Sequence, residues 1–543
     1  MTMKINRNRT RDWIAGVACS IATTVVATPS QGDWTAFRNG GSSHVEDSLS
    51  TQWSAERGIA WQTELQGYGQ SAPIIYEGKI YTTSVVGPMC QACAVECRDL
   101  QTGALVWSYR HDSTHEHPSN YMNARAAPTP VVDRNGVYAF FETGDLLALD
   151  HQGQQKWVRD ETKATGELDN SHGIGSSLAQ NATHVFVNLE HGGPSFLTAI
   201  DKTTGQSTWT ADRPSSKSWS SPIVADVNGQ QQVIISSGGT VTSYDAAAGE
   251  QLWQLDGIEG NSVPSPTVSG QYLVVGARLP EFASAGSVQA NCCLDLSEVS
   301  DGQPRVVWRA DKAICEYASP VVAAGCAYFL NKANVLHCLD LETGDVLYRK
   351  RLGGDCWATP IVSDGRLYFF CKNGECKVVG VGPEFQELAS NSLWDRDAPP
   401  IPETYVESSA ASNHSHGQHS HSEHGGGHPG GDAGGHPGGN ADSSSSQGPG
   451  GGMAARLKAG DRNGDDVLEG DEIPEMFRGM IARIDTDGDG RLSAPEIDAM
   501  AASFAERRKD AAASSRDPIV YGVAASDGHI VVRTGTRLFA ISQ

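Results

Sequence analysis

The chain is poor in positive charge: 41 Lys and Arg stand against 64 Asp and Glu, a formal net charge of −23 at pH 7. That balance argues against nucleic acid as a partner, since phosphate binding relies on clusters of Lys and Arg. Long apolar runs are missing as well, so beyond a short N-terminal stretch no segment is suited to span a bilayer. A nucleophile–base pair at a recognisable spacing is absent, and Cys90-x-x-Cys93 lacks the following His of a haem attachment site. What remains is an acidic chain of 543 residues, too long for one ordinary core unless it is a large repeat or barrel.

The N-terminus is basic (Lys4, Arg7, Arg9, Arg11) and runs into a small, apolar stretch over 13–27, with Val25-Val26-Ala27 before a plausible cleavage point. Residues 1–27 are therefore expected to be a signal peptide and the protein to be exported, either periplasmic or secreted to the cell surface. Cys19 follows Gly16-Val17-Ala18, a poor lipid-attachment box.

One unit recurs through the body of the chain: a Pro-led apolar strand, a Gly turn, a second apolar strand, then Asp-x-x-x-Gly-x-x-x-Trp. Its openings are Ser71-Ala72-Pro73, Pro128-Thr129-Pro130, Ser176-Ser177-Leu178, Ser220-Ser221-Pro222, Pro264-Ser265-Pro266, Ser319-Pro320 and Thr359-Pro360. The later motif reads Asp99…Gly103…Trp107, Asp150…Gly153…Trp157, Asp201…Gly205…Trp209, Asp245…Gly249…Trp253 and Asp340…Gly344…Tyr348, with a longer Asp295…Gly302…Trp308. Four short strands per 40–50 residues with a periodic Gly/aromatic element is the signature of a propeller blade, the Trp filling space between neighbours.

These motifs resemble the pyrroloquinoline-quinone (PQQ) repeat over residues 33–395 and 517–543. The resemblance implies an all-β, eight-bladed propeller, the fold of quinoprotein alcohol dehydrogenases and of the lipoprotein that assists outer-membrane β-barrel assembly. It says nothing about activity, because the family holds enzymes and non-enzymes. Seven blades fit between residues 68 and 395. The eighth is expected to join C-terminal strands over 518–541 to an N-terminal strand at 59–65, which would close the ring and remove two open sheet edges. The propeller is thus expected over 33–398 and 516–543, with 399–515 inserted in its last blade.

The insert begins with a low-complexity tract within 399–452, holding His414, His416, His419, His421, His424, His428 and His436. A flexible, disordered tether and a soft transition-metal site are both open readings. Residues 453–515 contain two EF-hand loops in tandem, a small α-helical module. Their ligand positions are Asp461, Asn463, Asp465, Val467, Glu469 and Glu472, then Asp485, Asp487, Asp489, Arg491, Ser493 and Glu496. Carboxylate and amide oxygens at positions 1, 3 and 5 with Glu at 12 suit a hard Ca²⁺ ion, and position 7 offers only a backbone carbonyl. Leu468 and Leu492 are apolar at position 8, where paired loops touch. Only residues 473–484 separate the loops, room for one helix of about 18 Å.

Cys97, Cys293 and Cys338 occupy one strand slot and read as small core residues. Asn373-Gly374 reads as a two-residue hairpin turn that would bring Cys371 opposite Cys376 for a disulfide, and Cys315 and Cys356 are placed in equivalent loops of adjacent blades. The adjacent pair Cys292-Cys293 precedes Leu294-Asp295 in a blade strand, the wrong context for the cofactor-covering disulfide of quinoprotein dehydrogenases. Loops leading into the inner strands would place Tyr68, Asn123, Arg125, His172, Trp219, Asn261, Glu316, Tyr317 and Trp357 at the mouth of the central funnel, either as a site for a flat ring compound or as a satisfied, hydrated lining. His111, His115 and His117 fall in an inter-blade loop. The expected role is calcium-dependent binding or scaffolding at the cell envelope, with a protein or envelope component as partner. The alternative is a PQQ-dependent oxidoreductase acting on an alcohol or sugar.

Overall fold

The computed structural model describes residues 32–117, 125–170, 172–278, 289–310, 312–398, 467–473, 491–498 and 519–542, with positions 1 and 400. The expected signal peptide, the His-rich tract and most of 453–515 lie outside the described residues, as does Asn123. No helix among the described residues is long and apolar enough to cross a membrane.

Short apolar strands separated by tight turns form eight blade sheets of antiparallel strands, with few helices. Blade 1 runs through Ile74–Tyr76, Lys79–Val86, Ala92–Asp99 and Leu105–Asp112. Blades 2 to 7 repeat this course from Val131–Asp133, Ala179–Gln180, Ile223–Val227, Thr267–Ser269, Val321–Ala323 and Ile361–Ser363. The first strands are largely buried and pack on one another around the axis, whereas fourth strands such as Leu105–Asp112 alternate between exposed and half-buried. Blade 8 combines Gly522–Ser526, His529–Arg533 and Arg537–Ile541 with Ile59–Glu64, which pairs antiparallel to Arg537–Ile541. Both chain ends thus share one sheet, as the repeat count requires.

The Trp of the recurring blade motif locks several of the blades to the next. The indole N–H of Trp61 donates to Leu100 O, Trp107 to His151 O, Trp157 to Lys202 O and Trp308 to Leu341 O, at 2.8–3.0 Å. Each of these rings lies against the motif Gly of the following blade: a Cβ on Gly103, Gly153, Gly205 or Gly344 would come within 2.8 Å of the Trp ahead of it. These glycines have φ between 69° and 80°, so they supply both the turn and the missing side chain. Trp253 faces the longer Asp295…Gly302 version and turns inward instead, bonding Gln232 Oε1 at 3.0 Å.

The Ser and Thr at the strand openings form a second inter-blade device near the axis. The backbone N–H of Ala72 donates to Thr129 Oγ1, Thr129 to Ser177 Oγ, Ser177 to Ser221, Ser221 to Ser265, Ser265 to Ser319 and Ser319 to Thr359 Oγ1, all at 2.9–3.0 Å. Each hydroxyl satisfies a buried amide of the blade before it.

The N-terminal segment before blade 8 has a structure that its sequence did not announce. Residues 34–47 travel around the end of the axis where the first strands finish, touching the blades nearly in order. Trp34 exchanges backbone hydrogen bonds with Ile75 of blade 1, and Thr35 O accepts from Val132 N of blade 2 and Gln180 Nε2 of blade 3. Gly41 packs on Ile223 of blade 4. Arg38, 3% exposed, donates to Ser265 O and Pro266 O of blade 5 and Pro320 O of blade 6, and also bonds Thr267 Oγ1. His44–Val45 adds a parallel fifth strand to Ile361–Ser363 of blade 7, and Asp47 accepts from Asp527 N of blade 8 at 2.7 Å.

The cysteine pairing departs from expectation. Cys356 is bonded to Cys371, and Cys315 and Cys376 are free thiols. The hairpin register explains this: Phe370, not Cys371, lies opposite Cys376. Cys371 sits at the turn, donating its N–H to Glu375 O. One residue of register moves a side chain to the other sheet face. Cys376 therefore enters the core shared with blade 8, while Cys371 joins Cys356 in the core shared with blade 6. Cys97, Cys293 and Cys338 are buried core residues as expected.

Candidate functional site

Opposite the axial end taken by residues 34–47, the loops entering the first strands build the propeller mouth. Trp219, Tyr317 and Trp357 each stand two residues before the axial Ser or Thr of their blade, so the repeat places them in one slot. An arc of rings and cations runs around one side. The Arg125 guanidinium lies 3.5 Å from the Tyr68 ring centroid, and Tyr68 Oη is 2.8 Å from Tyr521 Oη. Tyr521 packs on Trp357, and Trp357 on Tyr317 with centroids 5.2 Å apart. The Lys372 ammonium sits 4.0 Å from the Trp357 centroid, and Arg278 approaches Tyr317 while pairing with Glu316 at 3.0 Å. Such cation–ring contacts are each worth about 0.5–2 kcal/mol. Tyr317, 40% exposed, is the most open ring of the arc.

Of the residues expected at the mouth, Tyr68, Arg125, Glu316, Tyr317 and Trp357 are gathered in this arc. His172 and Trp219 form a separate pair with centroids 5.9 Å apart. Asn261 does not line the mouth: it is fully buried and ties one hairpin together, accepting from Gly239 N and donating to Ser236 Oγ and Thr240 O. Sequence reading missed Tyr521, Lys372 and Arg278. Tyr521 was findable, since it occupies the place of Ser71 in the last repeat.

The junction of blades 1 and 2 carries the three histidines, but only His115 and His117 lie in the loop expected for them; His111 belongs to the strand Leu105–Asp112, opposite Cys93. His111 Nε2 lies 3.3 Å from Asp145 Oδ1, and His115 Nε2 lies 2.7 Å from Thr162 Oγ1. Beside them Glu142 accepts from Ala126 N at 2.8 Å, and burial pushes its carboxyl up to about 7, against the lowering effect of those N–H bonds and of Arg125. Burial also holds the His117 imidazole below its usual range.

Cys292 and Cys293 are free, buried and open the strand Cys292–Ser300. They point to opposite sheet faces and enter two different cores, so they cannot together cover a ligand at the mouth.

Of the twelve expected calcium ligands, Val467, Glu469, Glu472, Arg491, Ser493 and Glu496 are described; Asp461, Asn463, Asp465, Asp485, Asp487 and Asp489 lie outside the described residues. Val467–Leu468 and Leu492–Ser493 pair antiparallel, with Leu468 opposite Leu492. Both leucines are buried with Ile473 and Ile497. Glu496 Oε2 accepts from Ser493 N at 2.9 Å and from its hydroxyl at 2.8 Å, while Glu472 Oε2 faces Glu469 N at 3.4 Å. Arg491 Nε reaches Glu469 Oε2 across the pair at 3.1 Å. The side-chain donors are oxygen, which suits a hard cation.

Fold and mouth together define an eight-bladed PQQ-repeat propeller. The family model described as outer membrane protein assembly factor BamB matches residues 22–192, 165–288 and 295–419, and the chain belongs to that family. A similar curated protein is outer membrane protein assembly factor BamB of Yersinia pestis, 24% identical over 258 residues, or 45% of this chain and 61% of the relative. Quinohemoprotein alcohol dehydrogenase ADH-IIG of Pseudomonas putida is 29% identical over 167 residues, or 30% of this chain and 22% of the relative. The chain spans less than two thirds of the length of either relative. Among solved structures, BamB from Moraxella catarrhalis is similar with a TM-score of 0.45 and 15% identity, covering 61% of this chain and 87% of that one.

Proposed function

We propose that this chain is an exported scaffold that binds a protein partner at the cell envelope through the mouth of its propeller. The observation that carries this reading is the asymmetry of the axis. One end is taken by the chain's own residues 34–47, and the other presents the arc from Arg125 to Arg278, in which the rings run from buried Tyr68 to exposed Tyr317. Aromatic and Arg-rich patches are the usual anchors of protein interfaces. Membership of an assembly-factor family supports the same reading. The two loops at 461–472 and 485–496 would each hold a calcium ion through the ligands named above. The His tract would serve as a tether or take a transition metal.

The second reading, a PQQ-dependent oxidoreductase acting on an alcohol or sugar, is favoured by the Pseudomonas putida relative. Against it, cations already cover the rings of Tyr68 and Trp357. A photo-crosslinking amino acid at position 317, with a control at the outer-strand position Val346, tests the two. A scaffold gives an envelope-protein adduct from 317 and none from 346. Turnover of alcohols or sugars by protein reconstituted with PQQ and Ca²⁺, without such an adduct, overturns the scaffold reading.

A further inference from the structure

Cys90, His117 and Glu142 come from three separate stretches of chain, yet one ligand atom of each lies within 4.8 Å of the other two. Cys90 and Glu142 are buried and His117 is half-buried. Each is anchored by contacts of its own. Cys90 adopts a φ of 49°, with its N–H bonded to Gly87 O, and the preceding Met89 N–H is held by Gln91 Oε1. His117 donates its backbone N–H to Met89 O at 3.0 Å, tying its loop to the Cys90 turn. That loop is also fastened to blade 2, because Asp145 accepts from Thr114 N at 3.0 Å and from the Thr114 hydroxyl. Glu142 is fixed from behind by the Ala126 N–H, which reaches both its oxygens at 2.8–2.9 Å.

We infer that Cys90, His117 and Glu142 form a transition-metal site at the junction of blades 1 and 2, taking Zn²⁺ or a similar divalent cation. One thiolate, one imidazole and one carboxylate match the donors that Zn²⁺ accepts, and three protein ligands leave a fourth position for water or a further group. The thiolate and carboxylate together neutralise a divalent charge. Binding displaces the thiol proton to solvent as the sulfur–metal bond forms. The site is separate from the calcium loops, whose expected donors are oxygen, and from the His tract, which holds no sulfur.

The test uses the full-length chain, stripped with a chelator and titrated with Co²⁺. A thiolate-to-cobalt charge-transfer band reports this site alone, because neither of the other metal-binding segments has a cysteine. The band is expected in the wild type and in Cys93→Ser, and absent in Cys90→Ser. His117→Ala and Glu142→Gln are expected to weaken cobalt binding at least about tenfold, and Zn²⁺ to bleach the band at one equivalent. These two variants keep the sulfur and decide the matter if Cys90→Ser fails to fold. No band in the wild type, a full band in Cys90→Ser, or unchanged affinity in both His117→Ala and Glu142→Gln overturns the inference.

Discussion

Gly522 of the last blade stands against Ala72 of the first, so close that a Cβ on Gly522 would come within 2.5 Å of the Ala72 Cα. Blades 2 to 7 have Ser or Thr at this point of their openings, from Thr129 to Thr359, and those hydroxyls link neighbours. At the closing junction the backbones meet directly, and the link is made elsewhere. Arg533, fully buried, crosses from blade 8 to donate to Ser71 Oγ at 2.6 Å and Thr83 O at 2.6 Å.

This arrangement makes Gly522→Ala costly. The added methyl must push apart the two blades that close the ring, an overpacking effect of about 1–3 kcal/mol. Ser177→Ala, which deletes one link elsewhere in the hydroxyl series, is expected to cost about 1 kcal/mol. Urea unfolding of both variants checks the order, and a Ser177→Ala loss exceeding that of Gly522→Ala refutes it. Removing 399–515 in favour of a short Gly/Ser loop is expected to leave a cooperatively folding propeller, because Ile59–Glu64 and the Gly522–Ile541 strands still pair.

Arg38 holds the N-terminal segment to the axis. Its replacement by Met would leave the carbonyls of Ser265, Pro266 and Pro320 without this donor in a buried setting, a loss of at least about 3 kcal/mol. Limited proteolysis is the direct readout: cleavage within 32–49 should become rapid in Arg38→Met while the blades stay resistant. Equal cleavage rates in variant and wild type would show that the segment is not held this way.

The blades were legible in the sequence because their signals are local and repeated. Asp201, Gly205 and Trp209 each have one structural task, and the same task recurs several times. Closure followed from counting. The path of residues 34–47 was not legible, because its contacts are mostly backbone carbonyls and amides of distant blades, which leave no periodicity. The Cys356–Cys371 bond was hidden by a single residue of hairpin register. At the mouth, Tyr317 and Trp357 were visible through their repeat slot, whereas Lys372 and Arg278 reach it from other turns. The clustering of Cys90, His117 and Glu142 depends on two blades meeting and has no sequence spacing of its own.

The blade aspartates give the propeller a defined acid limit. The Lys79 ammonium, helped by Thr102, holds the Asp99 carboxyl below its ordinary 3.8. The Thr204 N–H and hydroxyl do so for Asp201, and the Gln230 amide with the Ala248 N–H for Asp245. A carboxyl lowered in the folded state stabilises the fold above its unfolded value and loses that contribution as pH falls through the folded one. Stability is therefore expected to hold down to about pH 4 and then to decline as these groups protonate. Urea midpoints measured from pH 6 to pH 3 should show the fall, and Asp201→Asn should make it shallower. A midpoint that drops equally in variant and wild type argues against this origin.

The proposed calcium loops should differ in affinity. Position 6 of such a loop makes a sharp turn that Gly adopts without steric cost, and Gly490 fills it in the second loop. The first loop has Asp466 there, a residue type that tolerates the left-handed region better than most but at a steric cost that Gly avoids. Charge pulls the other way, because Glu469 stands at position 9 where the second loop has Ser493. Glu469 is, however, engaged by Arg491 at 3.1 Å, which offsets part of its advantage for the ion. Glu496 also starts closer to its place, since its carboxylate is already fixed by Ser493 at 2.8–2.9 Å, against 3.4 Å for the corresponding bond of Glu472. The loop at 485–496 is therefore expected to bind more tightly, with affinities on the order of 10⁻⁶–10⁻³ M. Calorimetry on the full-length protein with Glu472→Gln and Glu496→Gln, made singly, resolves the order. Glu496→Gln should abolish the stronger event; if Glu472→Gln does so instead, the ranking is reversed, and no calcium heat in the wild type would remove the basis for both sites.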